Sequence, residues 1–412
     1  MKVVKLSAAQ FDKFASNHRY RNYFQTSMYG NVMAKFGYSI QYLGIVNENN
    51  KLIGATLLIY KEIFMKNKMA YAPRGILFNY EDTERLEEAI GVLKRVLAKQ
   101  SFMLLRIDPY IPLTIRNSEG NIMNVNNKGN NIISSLKQAG FSYKGKTLYF
   151  ETEKPRWEAL ITLRRDLNEI FARLDKRVRN KIRKAVNSGI IVRRDPDRSI
   201  NKLYQFVGKK ERKPLAYYKE IKNQFDSDID VYYARIKTET FLINSRRNYE
   251  KEQEYNDKLA ERIQDMSLDP KERSTYLNKK MQSDQLITTY KANLLKATEI
   301  LKQNPDGLII AGAMIIKYDD AAFIFTEGMD ENYSNLNALY LLKWQLINDY
   351  FQRGYKYINL NGITGQFDKR NKYSGLNESK LGFDSTITEY IGEFDIILNN
   401  FTYNLYKKMN KK

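Results

Sequence analysis

The sequence contains no cysteine and only one histidine among its 412 residues. The lack of cysteine excludes disulfides, thiolate zinc sites and a cysteine nucleophile. One histidine also argues against most catalytic triads, and because His18 stands in the polar stretch SNHRY, we expect it to be a surface side chain. The sequence accordingly predicts no metal site.

Long apolar runs are also missing. No stretch reaches the roughly 18 apolar residues that a membrane-spanning helix needs. The stretch MKVVKLSAAQFDKFASN lacks the apolar core of a signal peptide and is typical of a short strand followed by an amphipathic helix. We therefore expect a cytoplasmic protein whose membrane contact is peripheral. The stretch FTYNLYKKMNKK mixes aromatic residues with lysines, which fits either contact with anionic lipid or a frayed basic terminus.

Acidic residues are too few to balance the basic ones. The 68 Lys and Arg residues exceed the 47 Asp and Glu residues, which gives a formal charge of +21. So basic a chain is expected to meet a polyanion, such as nucleic acid, an anionic membrane surface or a phosphorylated substrate. Hydrophobic residues make up 43% of the sequence, which at this length is enough for two domains with separate cores.

Strand-like and helix-like stretches alternate along the chain, and the alternation occurs twice. The first half contains the stretches IQYLGIVN, KLIGATLLIYKEI, MAYAPRGILF, EDTERLEEAIGVLKRVLAKQ and FMLLRIDPYIP, of which only the fourth is helical. In the second half, predicted helices include NKLYQFVGKKER and NALYLLKWQLINDYFQRG, and predicted strands include VYYARI, the hairpin GLIIAGAMIIKYDDAAFIFTEG and YKYINLNG. The pattern predicts an α/β or α+β domain that is used twice.

Residues 240–303 differ in composition and are predicted to form an antiparallel helical hairpin. They contain no glycine and one proline, Pro270, in a short polar break. Predicted seam residues are Tyr255, Leu259, Ile263 and Met266 on the first arm, and Leu277, Met281, Ile287, Tyr290, Leu294, Ala297 and Leu301 on the second. The coiled coil should be about 40 Å long. It is either a spacer or dimerisation element, or a lever that contacts a polyanion such as tRNA.

The most basic segment is LDKRVRNKIRKAVNSG, residues 174–189. On a helix, Lys176, Arg179, Arg183 and Lys184 cannot all point inward, so we expect an electropositive surface, which we name the basic ridge. Charge runs of this kind are commonly solvated helix faces. In a chain with this net charge, a phosphate-binding role is also expected.

Several motifs follow one another in a characteristic order. They are FQTSMYGNVMAKFGY, YAPRGILFNYEDTE, LLRIDPYIP, LDKRVRNKIRKAVNSGI, the helical insertion, NLNGITGQFD and KLGFDSTITEYIGEFDIILN. This succession resembles the Fem/Mur (FemABX) family of tRNA-dependent aminoacyltransferases, which make the branching peptides of peptidoglycan. Each motif is weak alone, and the order and the place of the insertion carry the resemblance through nearly the whole chain.

The resemblance implies two tandem acetyltransferase-like (GNAT-type) α/β domains with an inserted antiparallel coiled coil. We expect the first domain at 1–150 with 391–412 packing back on it, the second at 151–239 and 304–390, and the coiled coil at 240–303. It also implies transfer of an amino acid from aminoacyl-tRNA to lipid II, the lipid-linked peptidoglycan precursor, at the inner membrane face and without a cofactor. Both partners are polyanions, and the basic ridge is the predicted tRNA contact.

The resemblance assigns catalytic roles to Lys380 and Asp108. Lys380 matches a lysine of the family that precedes EYIGEF, and its ammonium group would stabilise the oxyanion that forms when an amine attacks the ester. The alternative is that Lys380 is an ordinary surface lysine. Asp108, in RIDPY, matches an aspartate considered as general base, although an aspartate before Pro109 is also a common turn cap.

The predicted substrate-binding residues are Lys35, Lys213, Tyr217, Asn361 and Thr364. Lys213 and Tyr217 match a basic residue and a tyrosine four positions apart in the family. Lysine keeps the charge of the family's arginine and loses its bidentate fork. Asn361 and Thr364 belong to a turn that is expected to shape the cleft.

One departure from the family lies in FIFTEGMD, where Thr326 and Glu327 stand in place of a tyrosine followed by small residues. Two other functions remain open: an acetyl-CoA-dependent acetyltransferase, although the phosphate-binding loop R/Q-x-x-G-x-G/A is missing, and an inactive relative that binds tRNA or membrane. Likeness to the staphylococcal branch favours glycine as the transferred residue, with alanine and serine open. The acceptor amine, and a homodimer or association with related transferases, also stay open.

Overall fold

The computed structural model describes residues 1–164, 166–207, 213–368 and 370–409. Its strands are β1 (Lys2–Lys5), β2 (Ser39–Val46), β3 (Leu52–Phe64), β4 (Asn67–Ala72), β5 (Phe102–Ile107), β6 (Pro112–Arg116), β7 (Ile122–Val125), β8 (Ser142–Tyr143), β9 (Trp157–Thr162), β10 (Ile190–Arg194), β11 (Ile229–Ile236), β12 (Leu308–Tyr318), β13 (Ala321–Met329), β14 (Tyr357–Ile363), β15 (Thr386–Tyr390) and β16 (Phe394–Ile397).

The α-helices of the described residues are α1 (Ala8–Ser16), α2 (Ser27–Lys35), α3 (Thr83–Lys99), α4 (Gly129–Gln138), α5 (Leu167–Arg173), α6 (Lys176–Asn187), α7 (Asn201–Val207), α8 (Leu215–Phe225), α9 (Thr238–Ile263), α10 (Pro270–Gln303), α11 (Ala338–Gln352), α12 (Ser374–Leu381) and α13 (Asn400–Met409). The predicted helix NKLYQFVGKKER is described as far as Val207, and its remainder lies outside the described residues.

Side-chain caps mark the starts of several helices. Ser7 and Gln10 form a reciprocal capping box at the start of α1, with N–H donors bonded at 3.2 and 2.9 Å. Asp269 caps α10 by accepting from the Lys271 N–H at 2.7 Å, and Pro270 occupies the first turn, where its missing N–H is not needed. The predicted strand MAYAPRGILF is shorter than expected, because Pro73 follows Ala72 and Arg74 adopts a left-handed φ of 54°.

Two mixed sheets form the body of the protein. The first has the strand order β1-β2-β3-β4-β5-β16-β8, and the second has the order β10-β11-β12-β13-β14-β9-β15-β6-β7. Each contains one parallel pair, β4 with β5 and β13 with β14, and the other neighbours are antiparallel. The prediction of an α/β unit used twice, with an inserted helical hairpin, is confirmed.

The two sheets exchange strands, and this alters the domain boundary expected at residue 150. Strands β6 and β7 lie within 1–150, but β6 pairs with β15 in the second sheet. Strand β16 returns to the first sheet and pairs with β5. The physical reason is long-range strand pairing, for instance the bond of the Thr114 hydroxyl to Glu389 at 2.7 Å, which local periodicity does not report.

A shared core joins the two sheets. Phe11, Tyr29 and Leu57 from the first part of the chain pack in one buried cluster with Ile221 and Met314 from the second. Separate clusters lie under α3 and α4 and under α6 and α11. Since a large apolar interface resists relative movement, the groove between the two sheets has a defined shape.

The helical hairpin forms, but its seam differs from the predicted one. Met281 and Ile287 are six positions apart, which breaks the alternation of three and four that one seam requires. In the structure the stripe continues from Ile287 through Ser283, Lys280 and Tyr276. Four predicted seam residues are exposed instead, namely Tyr255, Met266, Leu277 and Met281.

Polar bonds join the arms where apolar residues were expected. Asn256 donates to Asp284 at 2.8 Å, and the Ser283 hydroxyl donates to Glu252 at 2.7 Å. The apolar contact is concentrated at Leu259 and, nearer the sheet, at Ala297 and Ile300, which are buried. The distal half of the hairpin is therefore held by polar contacts to a larger extent than its base.

The C-terminal stretch is helical as far as it is described. Helix α13 runs to Met409, and the Tyr406 ring lies 6.4 Å from that of Phe64 at the tip of the β3–β4 hairpin. Phe401 stays exposed, and residues 410–412 lie outside the described part. Across the described residues, every helix is too short or too polar to cross a bilayer.

Candidate active site

The second sheet opens between β13 and β14. Their parallel pairing ends at Phe323 and Asn359, although both strands continue beyond these residues. Asn361 then adopts a φ of 67° and bends β14. The next residue must be glycine, because a Cβ at Gly362 would approach the Pro155 ring to 2.5 Å. The separated ends of the two strands border an opening, which we name the strand split.

A cavity of about 250 Å³ lies on one side of the strand split, between the two parts of the chain. Its lining includes aromatic rings and both charges, with Lys154, Glu158, Lys213, Tyr217, Phe325 and Asn361 among the contributors. A concave site with few polar groups among aromatic residues is typical of a ligand pocket. We name it the interdomain cavity.

Lys380 reaches the strand split from α12. Its side chain is buried, and Nζ donates to the Gly362 carbonyl oxygen at 2.7 Å. Burial lowers the pKa of Lys380 to about 8, with Glu327 opposing and Lys343 adding to the shift. Lys380 is therefore not an ordinary surface lysine. An ammonium group in this position can donate to an oxyanion that forms at the split.

Asp108 lies behind the wall of the interdomain cavity and is not among its lining residues. The carboxylate is buried and accepts from the Arg74 N–H at 2.6 Å and from the Tyr71 hydroxyl at 3.0 Å. Burial raises its pKa to about 6, against the lowering effect of Arg74. This geometry suits a residue that orients Arg74, and a direct role as base stays a prediction.

Arg74 and Glu158 form a buried ion pair that the sequence did not reveal. Arg74 Nη2 donates to Glu158 at 2.6 Å and to the Pro155 carbonyl at 2.8 Å. The other Glu158 oxygen accepts from Asn359 at 2.8 Å and from the Tyr390 hydroxyl at 3.0 Å. Arg74 thus connects Asp108 with Glu158, which lines the interdomain cavity. The only sequence signal was a charged residue inside the apolar stretch WEALI.

Lys213, Tyr217 and Asn361 meet in the interdomain cavity, as a shared substrate site requires. The Lys213 ammonium lies 5.4 Å from the centre of the Tyr217 ring. Lys35 is not among the lining residues; it is exposed at the end of α2. Thr364 is fully buried and bonds Asn377 of α12, with its hydroxyl 2.9 Å from Asn377 Nδ2. The bond between Thr364 and Asn377 therefore holds α12, the helix that carries Lys380, against the end of β14.

The four residues of the basic ridge do not share one environment in the structure. Lys176, Arg183 and Lys184 are exposed on α6, whose opposite face is buried against the sheet. Arg179 turns back and donates to the carbonyl oxygens of Ala172 and, at 2.6 Å, Leu174. These bonds give partners to carbonyl oxygens at the end of α5, because the last carbonyls of a helix lack partners within the helix. Three of the four predicted cations remain available to a polyanion.

The ridge lies next to the helix of Lys380. The Asp175 N–H donates to the Gly382 carbonyl at 2.9 Å, and a Cβ at Gly382 would approach Val178 of α6 to 2.5 Å. No group of three or more His, Cys, Asp or Glu side chains suited to a metal occurs within the described ranges. His18, which was expected to be a surface side chain, is half-buried and lines a different cavity.

Comparison with known proteins decides the family. The sequence profile of the FemAB family matches residues 6–411. The chain belongs to the FemAB family. The curated relatives include Aminoacyltransferase FemA of Staphylococcus epidermidis, 25% identical over all of this chain and 99% of the relative, and Aminoacyltransferase FemA of Staphylococcus aureus, 23% identical with the same coverage.

The solved structure of FemX has the same fold. It superposes with a TM-score of 0.72 at 18% identity, covering 98% of this chain and 99% of FemX. The FemAB membership confirms the resemblance inferred from motif order, and it confirms the prediction of an acyltransferase. The predicted mixed α/β fold is confirmed as well.

Proposed function

We propose that this FemAB protein transfers an aminoacyl group from aminoacyl-tRNA to an amine on the peptide of lipid II. The observation that carries the proposal is the buried ammonium of Lys380 at the strand split, beside a cavity that opens between the two sheets. An aminoacyl ester is already activated, so the enzyme has only to align an amine and stabilise negative charge.

The reaction can be written with these groups. The lone pair of the acceptor amine forms a bond to the ester carbonyl carbon, and the carbonyl electrons move to oxygen. Lys380 donates to this oxyanion. When the tetrahedral intermediate collapses, the bond to the ribose oxygen breaks, and that oxygen gains the proton which the amine loses. No cofactor is needed.

The two substrates are proposed to approach the strand split from opposite sides. The acceptor, lipid II, is proposed to occupy the interdomain cavity, where Lys213 and Tyr217 lie in position to meet its phosphates and Asn361 lies beside the strand split. The tRNA lies over the three exposed cations of the basic ridge, because α6 and α12 are in contact through Asp175 and Gly382. The net charge of +21 supports two polyanionic substrates.

We further propose glycine as the transferred residue, with the protein acting at the inner face of the membrane as a peripheral protein. Purified protein would be incubated with lipid II and, in separate reactions, with tRNA charged with labelled glycine, alanine or serine, or with labelled acetyl-CoA. Label that moves from glycyl-tRNA to lipid II supports the proposal, and mass spectrometry identifies the acceptor amine. Label taken only from acetyl-CoA, or tRNA binding without transfer, would overturn it.

A further inference from the structure

A buried ion pair faces Lys380 across the strand split. Lys343 of α11 is almost fully buried and donates to Glu327 Oε1 of β13 at 2.7 Å. Glu327 Oε2 is also buried, yet it has no hydrogen-bond partner among the described residues. A buried carboxylate oxygen without a partner is costly, and such an atom calls for an explanation by function. The Glu327 side chain as a whole keeps 20% of its surface exposed, so the pair lies near the protein surface although Oε2 itself is covered.

A β-bulge places Glu327 on this side of the sheet. On β12, Met314 and Ile315 are adjacent, but their partners on β13 are Thr326 and Ile324, so Phe325 is an extra residue. Without the bulge, alternation would turn Glu327 to the face of Phe323, which lines the interdomain cavity. With it, Glu327 pairs with Ala313, a member of the core under α11. The bulge redirects the carboxylate toward Lys343 and Lys380.

We propose that Glu327 Oε2 binds the free α-ammonium group of the aminoacyl donor. This inference rests on the proposed function, since it concerns the donor of that reaction. The carbonyl carbon of an aminoacyl ester is one bond from the carbon that bears the amine. A site that holds the carbonyl oxygen near Lys380 therefore brings the ammonium group within a few ångströms of it. Glu327 then serves two cations, Lys343 through Oε1 and the donor through Oε2.

The charges around the pair fit this assignment. Lys343 reaches it from α11 and Lys380 from α12, and Glu158 of β9 adds a more distant negative charge. In the transition state the two anions, Glu327 and the oxyanion, face three cations, Lys343, Lys380 and the donor ammonium. A donor whose amine is blocked, such as an N-acetylaminoacyl ester, or one that has no amine, would leave Oε2 buried without a partner. Glu327 is thus a specificity residue for free aminoacyl groups.

The experiment compares glycyl-tRNA with N-acetylglycyl-tRNA as donors in single-turnover transfer to lipid II. We expect the wild-type protein to favour the free amine by about ten- to 100-fold, the range for a hydrogen bond to a charged group. Glu327→Gln should lower transfer from glycyl-tRNA and leave transfer from the blocked donor nearly unchanged. The preference for the free amine should then be less than about threefold. The matched control is Glu378→Gln, an exposed carboxylate on α12, which should keep the wild-type preference.

The outcomes separate this inference from the proposed function. A wild-type protein that transfers from neither donor overturns the proposed function. If both donors slow equally in Glu327→Gln, the carboxylate only positions Lys343 and Lys380, and the inference fails. The double variant Glu327→Met/Lys343→Met removes the pair without leaving an orphan charge, and it provides the same comparison should the single variant unfold. A wild-type preference in this variant also overturns the inference.

Discussion

Lys380 Nζ lies 2.7 Å from the carbonyl oxygen of Gly362, at the point where β14 has left β13. The bond uses one of the three donors of the ammonium group, so further donors can point to a substrate oxygen. Burial disfavours the charged form and lowers the pKa of Lys380 to about 8. A charged lysine in a buried position lowers the stability of the folded protein. A cation that is kept there despite this loss agrees with a catalytic role.

Replacing the charge at position 380 should remove activity and increase stability. Lys380→Met keeps the length of the side chain and removes the ammonium, so transfer should fall by about 100- to 1,000-fold, as when an oxyanion donor is lost. Because the folded pKa lies below the ordinary value of 10.5, the free energy of unfolding at pH 7 should rise by up to about 3 kcal/mol. Transfer assays and urea unfolding measure both. Lys372→Met, exposed in the same region, should change neither, and normal turnover by folded Lys380→Met would refute the role.

The pH dependence of transfer should show the same group. Lys380 must be charged to stabilise the oxyanion, so the rate at saturating substrate should decline as pH rises through about 8. Deprotonation of the acceptor amine acts in the opposite direction, which predicts a bell-shaped profile. Single-turnover rates between pH 6 and 10 test this, with any residual activity of Lys380→Arg declining at higher pH. A rate that rises without a decline up to pH 10 would contradict the prediction.

Asp108 and Arg74 should differ in their effects on folding and transfer. Asp108→Asn keeps one oxygen to accept from the Arg74 N–H, and its amide nitrogen can donate to the Tyr71 hydroxyl, which then accepts, so we expect transfer within tenfold of wild type. Arg74→Met leaves Asp108 and Glu158 as buried carboxylates without their cation, and it should reduce the free energy of unfolding by about 3–5 kcal/mol. Transfer kinetics and unfolding curves of the two variants show whether Asp108 acts as a base or only orients Arg74. A loss of 1,000-fold or more in well-folded Asp108→Asn would restore the role of base.

The exposed part of the basic ridge should govern tRNA affinity. Replacing Lys176, Arg183 and Lys184 together by alanine should weaken tRNA binding at low salt. It should also make the salt dependence shallower, by roughly 0.7 to 0.9 in slope for each phosphate that the variant no longer neutralises. Arg179→Ala is the contrasting variant, since Arg179 bonds backbone carbonyls, and it should affect stability more than affinity. Binding isotherms at several salt concentrations measure the slope. An unchanged slope in the triple variant would remove the ridge from the tRNA site.

Several features of the candidate site could be predicted because they depend on local pattern or on motif order. Alternating periodicity revealed the two α/β halves and the hairpin, and the motifs located Lys380, Lys213 and Tyr217. The departure at Glu327 was visible, but its significance was not. A single extra residue at Phe325 decides which face Glu327 occupies, and a bulge leaves no clear trace in a hydrophobic pattern.

The sequence by itself determined the composition of each element, the net charge and the family, since hydrophobic period, charge and motif order are properties of neighbouring residues. Tertiary structure alone decided that β6 and β16 change sheets, that Arg179 caps a helix, and that Arg74 meets Glu158 in the interior. These depend on contacts between residues far apart in the chain. Their energies come from desolvation and pairing, which exist only once the chain has folded.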